Sequence, residues 1–255
     1  MTILKLHFLS LIYFTDYKNR MYQFIFFFQP LIFLCMIKFM LLMRMSVNED
    51  RYILAVAILS TWNFILYSSG SSLIFEKWAG TLELVLTTKV SLFRIILIKT
   101  INNSIVGLLT LIITLIYATF MLGFSIKFNN MMITGLSLLL LVISFIAFGN
   151  ILAVIFGLFK NVIEYQNLIV YPIAMLMGLF YPVDLFPSVV QFIGYLLPMT
   201  WIIKDLYHNL NTVEIFEYSN LLIGLMLSML YFLVSYIVIQ GLESKFRESN
   251  NMGVY

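Results

Sequence analysis

Glu76-Lys77-Trp78-Ala79-Gly80-Thr81-Leu82-Glu83 stands between two uncharged apolar runs, residues 52–75 before it and 100–124 after it. Each run is long enough to cross a hydrocarbon core, which takes about 20 apolar residues. A charge at the bilayer centre costs roughly 2.5–3.5 kcal/mol on the mildest scale, so the charged stretch is expected at a membrane surface. Gly80 should break the helix arriving from residues 75–79. Thr81 is then placed to cap a new helix, with Glu83 in its first turn and Lys89 near its last, each of the sign the macrodipole favours. Leu82, Val85 and Leu86 share one face of that helix. Ser91 is expected to cap a further helix that carries Arg94 and continues as a span. An amphipathic connector lying on the inner leaflet would have the same spacing, and spacing alone does not separate the two.

Composition sets the class. The chain has 255 residues, of which 62% are hydrophobic and 11% charged, and its mean hydropathy is +1.00. An ordinary soluble domain carries about 25% charged residues. So few polar residues could not cover a soluble core, and an all-α integral membrane protein is expected. The single cysteine, Cys35, lies in an apolar run, so no intrachain disulfide is expected. No signal-peptide pattern opens the chain. Heavy use of Ile, Phe, Asn, Lys and Tyr points to an AT-rich bacterial genome.

Six transmembrane helices are expected, at about 21–43, 52–75, 95–124, 131–159, 167–186 and 221–239. Pro30 and Lys38 interrupt the first; Lys38 is long enough to snorkel outward. Residues 2–20 alternate apolar and polar at roughly helical spacing, as in a helix lying in the interface plane. With both termini inside, the inner segments hold ten cations (Lys5, Lys18, Arg20, Lys77, Lys89, Arg94, Lys99, Lys160, Lys245, Arg247). The outer segments hold five: Lys38, Arg44, Arg51, Lys127 and Lys204. The positive-inside rule therefore favours cytoplasmic N- and C-termini in the cell membrane.

The stretch 181–198 is apolar yet too short to cross a ~30 Å core. Tyr181, Pro182, Asp184, Pro187 and Pro198 punctuate it, and proline suits a first helical turn while ending what precedes it. An extracellular re-entrant helical hairpin after span five accounts for this; a surface-lying loop is the alternative.

Several chemistries lack their residues. No G-x-x-x-x-G-K-[ST] occurs, so no phosphate-cradling loop is expected. His7 and His208 stand apart from any Glu or Cys at metal spacing, and no metal site is expected. Asp16, Glu164 and Asp184 are too scattered for a lipid-modifying enzyme. Gly123, Gly149 and Gly157 are read as points of close helix approach. Few ionisable groups fall inside the spans, against an ion-relay transporter.

The stretch from Glu76 to Glu83, followed by Leu84-Val85-Leu86-Thr87-Thr88-Lys89-Val90-Ser91, resembles the E-[RK]-x-x-G-T-L-E-x-L-L-x-[ST]-P-[VL]-S segment of type-two ATP-binding-cassette (ABC) exporter permeases. Lys89 departs from the family's proline. Gly178-Leu179-Phe180-Tyr181-Pro182-Val183-Asp184-Leu185-Phe186-Pro187-Ser188-Val189-Val190-Gln191, with Leu196-Leu197-Pro198-Met199-Thr200, is similar to that family's G-x-x-[FY]-P-x-x-x-[FL]-P-x-x-[LV]-[QR] … L-[LI]-P-[LM]-T region. The resemblance covers essentially the whole chain as a single transmembrane domain. It implies a coupling helix at about 76–90, with Glu76, Lys77, Gly80, Thr81, Leu82, Glu83, Leu86 and Lys89 facing a separate ABC nucleotide-binding ATPase subunit. It also implies an outer gate at 181–198, and pairing with a second permease copy or a homologous permease within membrane lipids. The chain itself is then no enzyme and holds no cofactor; ATP and Mg belong to the ATPase, and no nucleic acid is involved. Tyr67, Ser68, Ser71, Asn102, Asn103, Asn150 and Tyr171 interrupt otherwise apolar faces and are candidate pathway lining. Such a lining suits an amphiphilic cargo such as a peptide, drug or lipid-like molecule. A polysaccharide or teichoic-acid-type glycan exporter, and a non-transporting immunity or scaffold protein, are the alternatives.

Overall fold

A computed structural model of the chain describes residues 20–43, 49–78, 80, 82, 90–124, 126, 128–158, 162–211 and 218–251. The expected interfacial helix lies outside the described residues except for Arg20. Among those described, helices make up the regular structure and no strand occurs.

Helix α1 is Arg20–Leu42. Its α-helical turn Arg20–Gln23 leads into a π turn, Phe24–Phe28, in which the Gln29 N–H reaches back to the Phe24 carbonyl, and Pro30 follows in the first turn of the next segment. Helix α2, Glu49–Gly70, is buried on nearly every side, and α3, Ser72–Trp78, continues it after Ser71. Helix α4 is Leu92–Ile116 and ends in a second π turn, Tyr117–Met121. Helix α5 is Met131–Leu158 and α6 is Val162–Leu176. A 3₁₀ turn, Val183–Leu185, leads to α7, Ser188–Leu196, and α8, Pro198–Asn211, which meet at a 95° bend. Helix α9, Ser219–Asn251, runs on through the charged end of the chain.

Among the described residues, five helices are long and apolar enough to cross a membrane, or six if the bent α7–α8 pair counts as one span. The expected fifth span, 167–186, differs most from the structure. Helix α6 stops at Leu176, and its 15 residues reach only ~22 Å. Gly178 ends it with a φ of +78°, a left-handed conformation that side chains with a Cβ rarely adopt.

Helix α2 is the central post, packed by α4 and α5 and flanked by α1 and α6. Trp62 lies against Phe145 and Phe148 of α5, and its indole N–H donates to the Val170 carbonyl of α6 at 3.0 Å. A Cβ at Gly157 would sit 3.0 Å from Leu73, and one at Gly149 would sit 3.2 Å from Thr100, so the two glycines are points of close helix approach. Gly123 differs from expectation. Nothing lies within 4 Å of a Cβ there, and its φ of +70° marks a turn instead. Several hydroxyls inside the spans bond their own helix one turn back, as Thr61 does to Ala57, Thr100 to Ile96 and Ser104 to Thr100. That disposes of polar groups where water is scarce.

Candidate functional site

Ends of four helices, α2, α4, α5 and α9, meet at α3. Gly80, with a φ of +66°, donates its N–H to the Lys77 carbonyl at 3.1 Å and turns the chain out of the helix. Lys77 Nζ donates to the Gly157 carbonyl of α5. Glu76 is buried and forms an ion pair with Lys99 of α4, itself nearly enclosed. Its carboxylate is thus enclosed by protein, not left free for a partner, because a cation meets it there. Leu82 belongs to one buried cluster with Leu73, Leu92, Ile96, Val154 and Ile239, which brings it against α4, α5 and α9. Thr81, Glu83, Leu86 and Lys89 lie outside the described residues.

Ser91 takes the extended backbone of a helix cap, but its side chain makes no capping bond. Glu243 of α9 does so instead, accepting the Leu92 N–H at 2.9 Å. Phe93 and Tyr236 stack edge to face beside it, with centroids 5.1 Å apart. Reaching from α9 to the start of α4, the carboxylate supplies the negative charge that a helix N-terminus favours.

At the other end, hydrogen bonds fix the turn between α6 and α7. Asp184 accepts the Tyr195 hydroxyl and lies 3.7 Å from Lys204. Gln191 Nε2 donates to the Asp184 and Phe186 carbonyls, each at 2.8 Å. Pro187 precedes α7 and Pro198 begins α8. Across their junction Thr200 donates to Gly194 O at 2.6 Å and Trp201 to Tyr195 O at 2.9 Å. Tyr181 is exposed, and beneath it Tyr207 donates to Leu179 O at 2.6 Å.

Sequence reading missed the link below this turn. Asp205 of α8 is buried and accepts the Ser137 hydroxyl of α5 at 2.8 Å, and Asn209 donates to Thr134 Oγ1 at 2.7 Å. The four-residue spacing of Asp205 and Asn209 puts both on one helical face, a signal present in the sequence.

The candidate lining residues are dispersed. Tyr67, Ser71, Asn102, Asn103 and Asn150 are buried within the α2–α4–α5 packing, and Ser68 donates to its own helix at Phe64. Tyr171 is 38% exposed on α6 and interacts with Tyr67. Buried Asn63, which the sequence did not single out, shares with Asn150 a carboxamide that makes no hydrogen bond.

Long apolar helices around a buried central post, with charged side chains tied down at both ends, define a polytopic helical membrane protein. The sequence matches the family model described as ABC-2 type transporter over residues 8–211, and the chain belongs to that family. It is similar to the probable multidrug ABC transporter permease YbhS of Escherichia coli strain K12, with 23% identity over 174 residues, 68% of this chain and 44% of that protein. YbhS of Escherichia coli O157:H7 matches to the same extent. The chain thus spans less than half the length of these curated relatives. For the family in general, membership implies an ABC ATPase as partner and pairing of permeases.

Proposed function

We propose that this chain is the permease subunit of an ATP-driven exporter, moving an amphiphilic cargo outward across the cell membrane while a separate ATPase subunit hydrolyses ATP. Two permeases pair about a two-fold axis, because six spans or fewer enclose no pathway alone. Closure of the ATPase dimer pushes on the segment after α3, and the ATPase favours whichever permease state it contacts better in each nucleotide form. Both termini face the cytoplasm in this reading, and the chain binds neither ATP nor Mg itself.

The observation that carries the reading is the anchorage of α3. Glu76 to Lys99, Lys77 to Gly157 and Leu82 among α4, α5 and α9 side chains tie α3 into one joint with three helices. A push at such a joint is delivered to three spans instead of being lost in a slack loop. The outer turn at 181–198, hooked to α5 through Asp205, is then the gate that closes the pathway outward. A cargo of peptide, drug or lipid-like kind fits the apolar and aromatic faces, and the multidrug designation of the YbhS relatives favours a drug-like molecule.

Glu83→Lys tests the assignment. It puts a cation where the sequence places the positive end of the coupling helix. The ATPase should be lost on co-purification; unchanged co-purification with unchanged cargo-stimulated hydrolysis would refute the coupling role.

A further inference from the structure

Pro30 lies in the first turn of the segment of α1 that follows its π turn and Pro172 lies inside α6, and the residues just before these prolines touch. Gln29 Nε2 donates to Tyr171 Oη at 3.3 Å. Tyr171 interacts in turn with Tyr67 of α2, whose backbone carbonyl accepts the Tyr22 hydroxyl at 3.4 Å. Gln29 and Tyr171 thus meet at one level of the bundle.

The backbone is weakened at this level in both helices. Pro30 has no N–H to continue the ladder that widens into the π turn Phe24–Phe28, and Pro172 lacks one within α6. Proline and π turns are where helices bend. Gln29 is only 8% exposed, yet its Oε1 has no hydrogen-bond partner. A buried carbonyl oxygen without a partner is costly, and a donor that reached it would remove the cost. Around it the exposed surface is apolar: Phe24, Phe28 and Ile32 on α1, Leu168 and Met175 on α6. Tyr171 is the polar, partly exposed group among them. A carboxamide and phenols carry no charge, so the spot suits a neutral donor better than an ion.

We propose that Gln29, Tyr171 and Tyr67 form a cargo-recognition point at which the Gln29 carbonyl oxygen takes an amide N–H or hydroxyl of an otherwise apolar molecule. The inference rests on the exporter reading and narrows its cargo to neutral amphiphiles with a hydrogen-bond donor. The prolines let α1 and α6 part at this level, which opens the oxygen to the cargo.

The test uses the full chain co-purified with its ATPase in lipid nanodiscs. The probes are dansyl-trileucine amide and the same peptide with every amide N–H methylated. The parent peptide should bind about fivefold to tenfold more tightly, the factor one hydrogen bond supplies. Gln29→Leu should abolish that preference without changing affinity for the methylated peptide, and Tyr171→Phe, which keeps the ring, should reduce it. Equal binding of the two peptides, binding of neither, or full preference retained in Gln29→Leu would overturn the proposal. If Gln29→Leu fails to elute as the intact complex, Tyr171→Phe decides, and unchanged preference there overturns the proposal. A chain that purifies without an ATPase refutes the exporter reading, whereas a complex that holds its ATPase but does not discriminate refutes only the recognition point.

Discussion

Glu76 shows how far one residue can be read without its neighbours. Taken alone, a carboxylate at the end of an apolar run is read as free for a soluble partner. In the structure Lys99, 23 positions on, meets it inside the bundle, and a pair of opposite charges tolerates burial that neither does alone. Lys99→Met leaves that carboxylate buried and unpaired, and should cost about 3 kcal/mol. A clear fall in the thermal unfolding midpoint of the detergent-purified protein would be the sign. Adding Glu76→Leu to Lys99→Met should recover most of the loss; a double variant no better than the single would mean that the pair is not the cause. The Glu243 cap on α4 was hidden for the same reason, its two partners being 151 positions apart. By contrast Gly80, placed at a helix break from the sequence, does end α3, because a single-residue conformational preference is local.

At the scale of elements, the sequence marked the outer turn through its prolines but not its extent. Beyond Pro198 the residues Lys204, Asp205 and His208 hid a helix. Yet buried Ile202, Ile203, Leu206, Tyr207 and Leu210 of α8 recur at helical spacing, a pattern the sequence held all along. Helix α7 packs against the end of α6 so closely that a Cβ at Gly194 would come 2.9 Å from the Leu176 carbonyl. Backbone cannot yield as a flexible side chain does, so Gly194→Ala should destabilise by about 1–3 kcal/mol. Pro187→Ala is milder: it frees the φ that separates the 3₁₀ turn from α7. Under the gate reading it should leave assembly with the ATPase intact and give leak or lost coupling. Cysteine scanning across 186–198 checks the geometry. Alternating protection from an outside reagent is expected, and uniform labelling would mean a plain surface loop.

For the whole molecule, the all-helical membrane class and the family were legible because they rest on hydropathy and on two motifs in order. What lies inside the bundle was not, since burial of Asn102 or Asn150 depends on which helix faces they share. Large apolar side chains are exposed along α1 and α9, among them Phe28, Phe39, Met226 and Leu233, as expected of surfaces that meet lipid or a second permease. The proposed orientation places Lys5 inside, so a cysteine there should react only with reagents that reach the cytoplasm; labelling of intact cells from outside would reverse the orientation. The central claim is that a separate ATPase drives cargo outward through this chain. It is tested most directly by uptake of a fluorescent amphiphile into inside-out vesicles holding the permease and its ATPase. Uptake that requires hydrolysable ATP, and that stops when the ATPase phosphate-loop lysine is replaced, is the predicted result. Uptake equal with and without ATP, or persisting with the disabled ATPase, would contradict it.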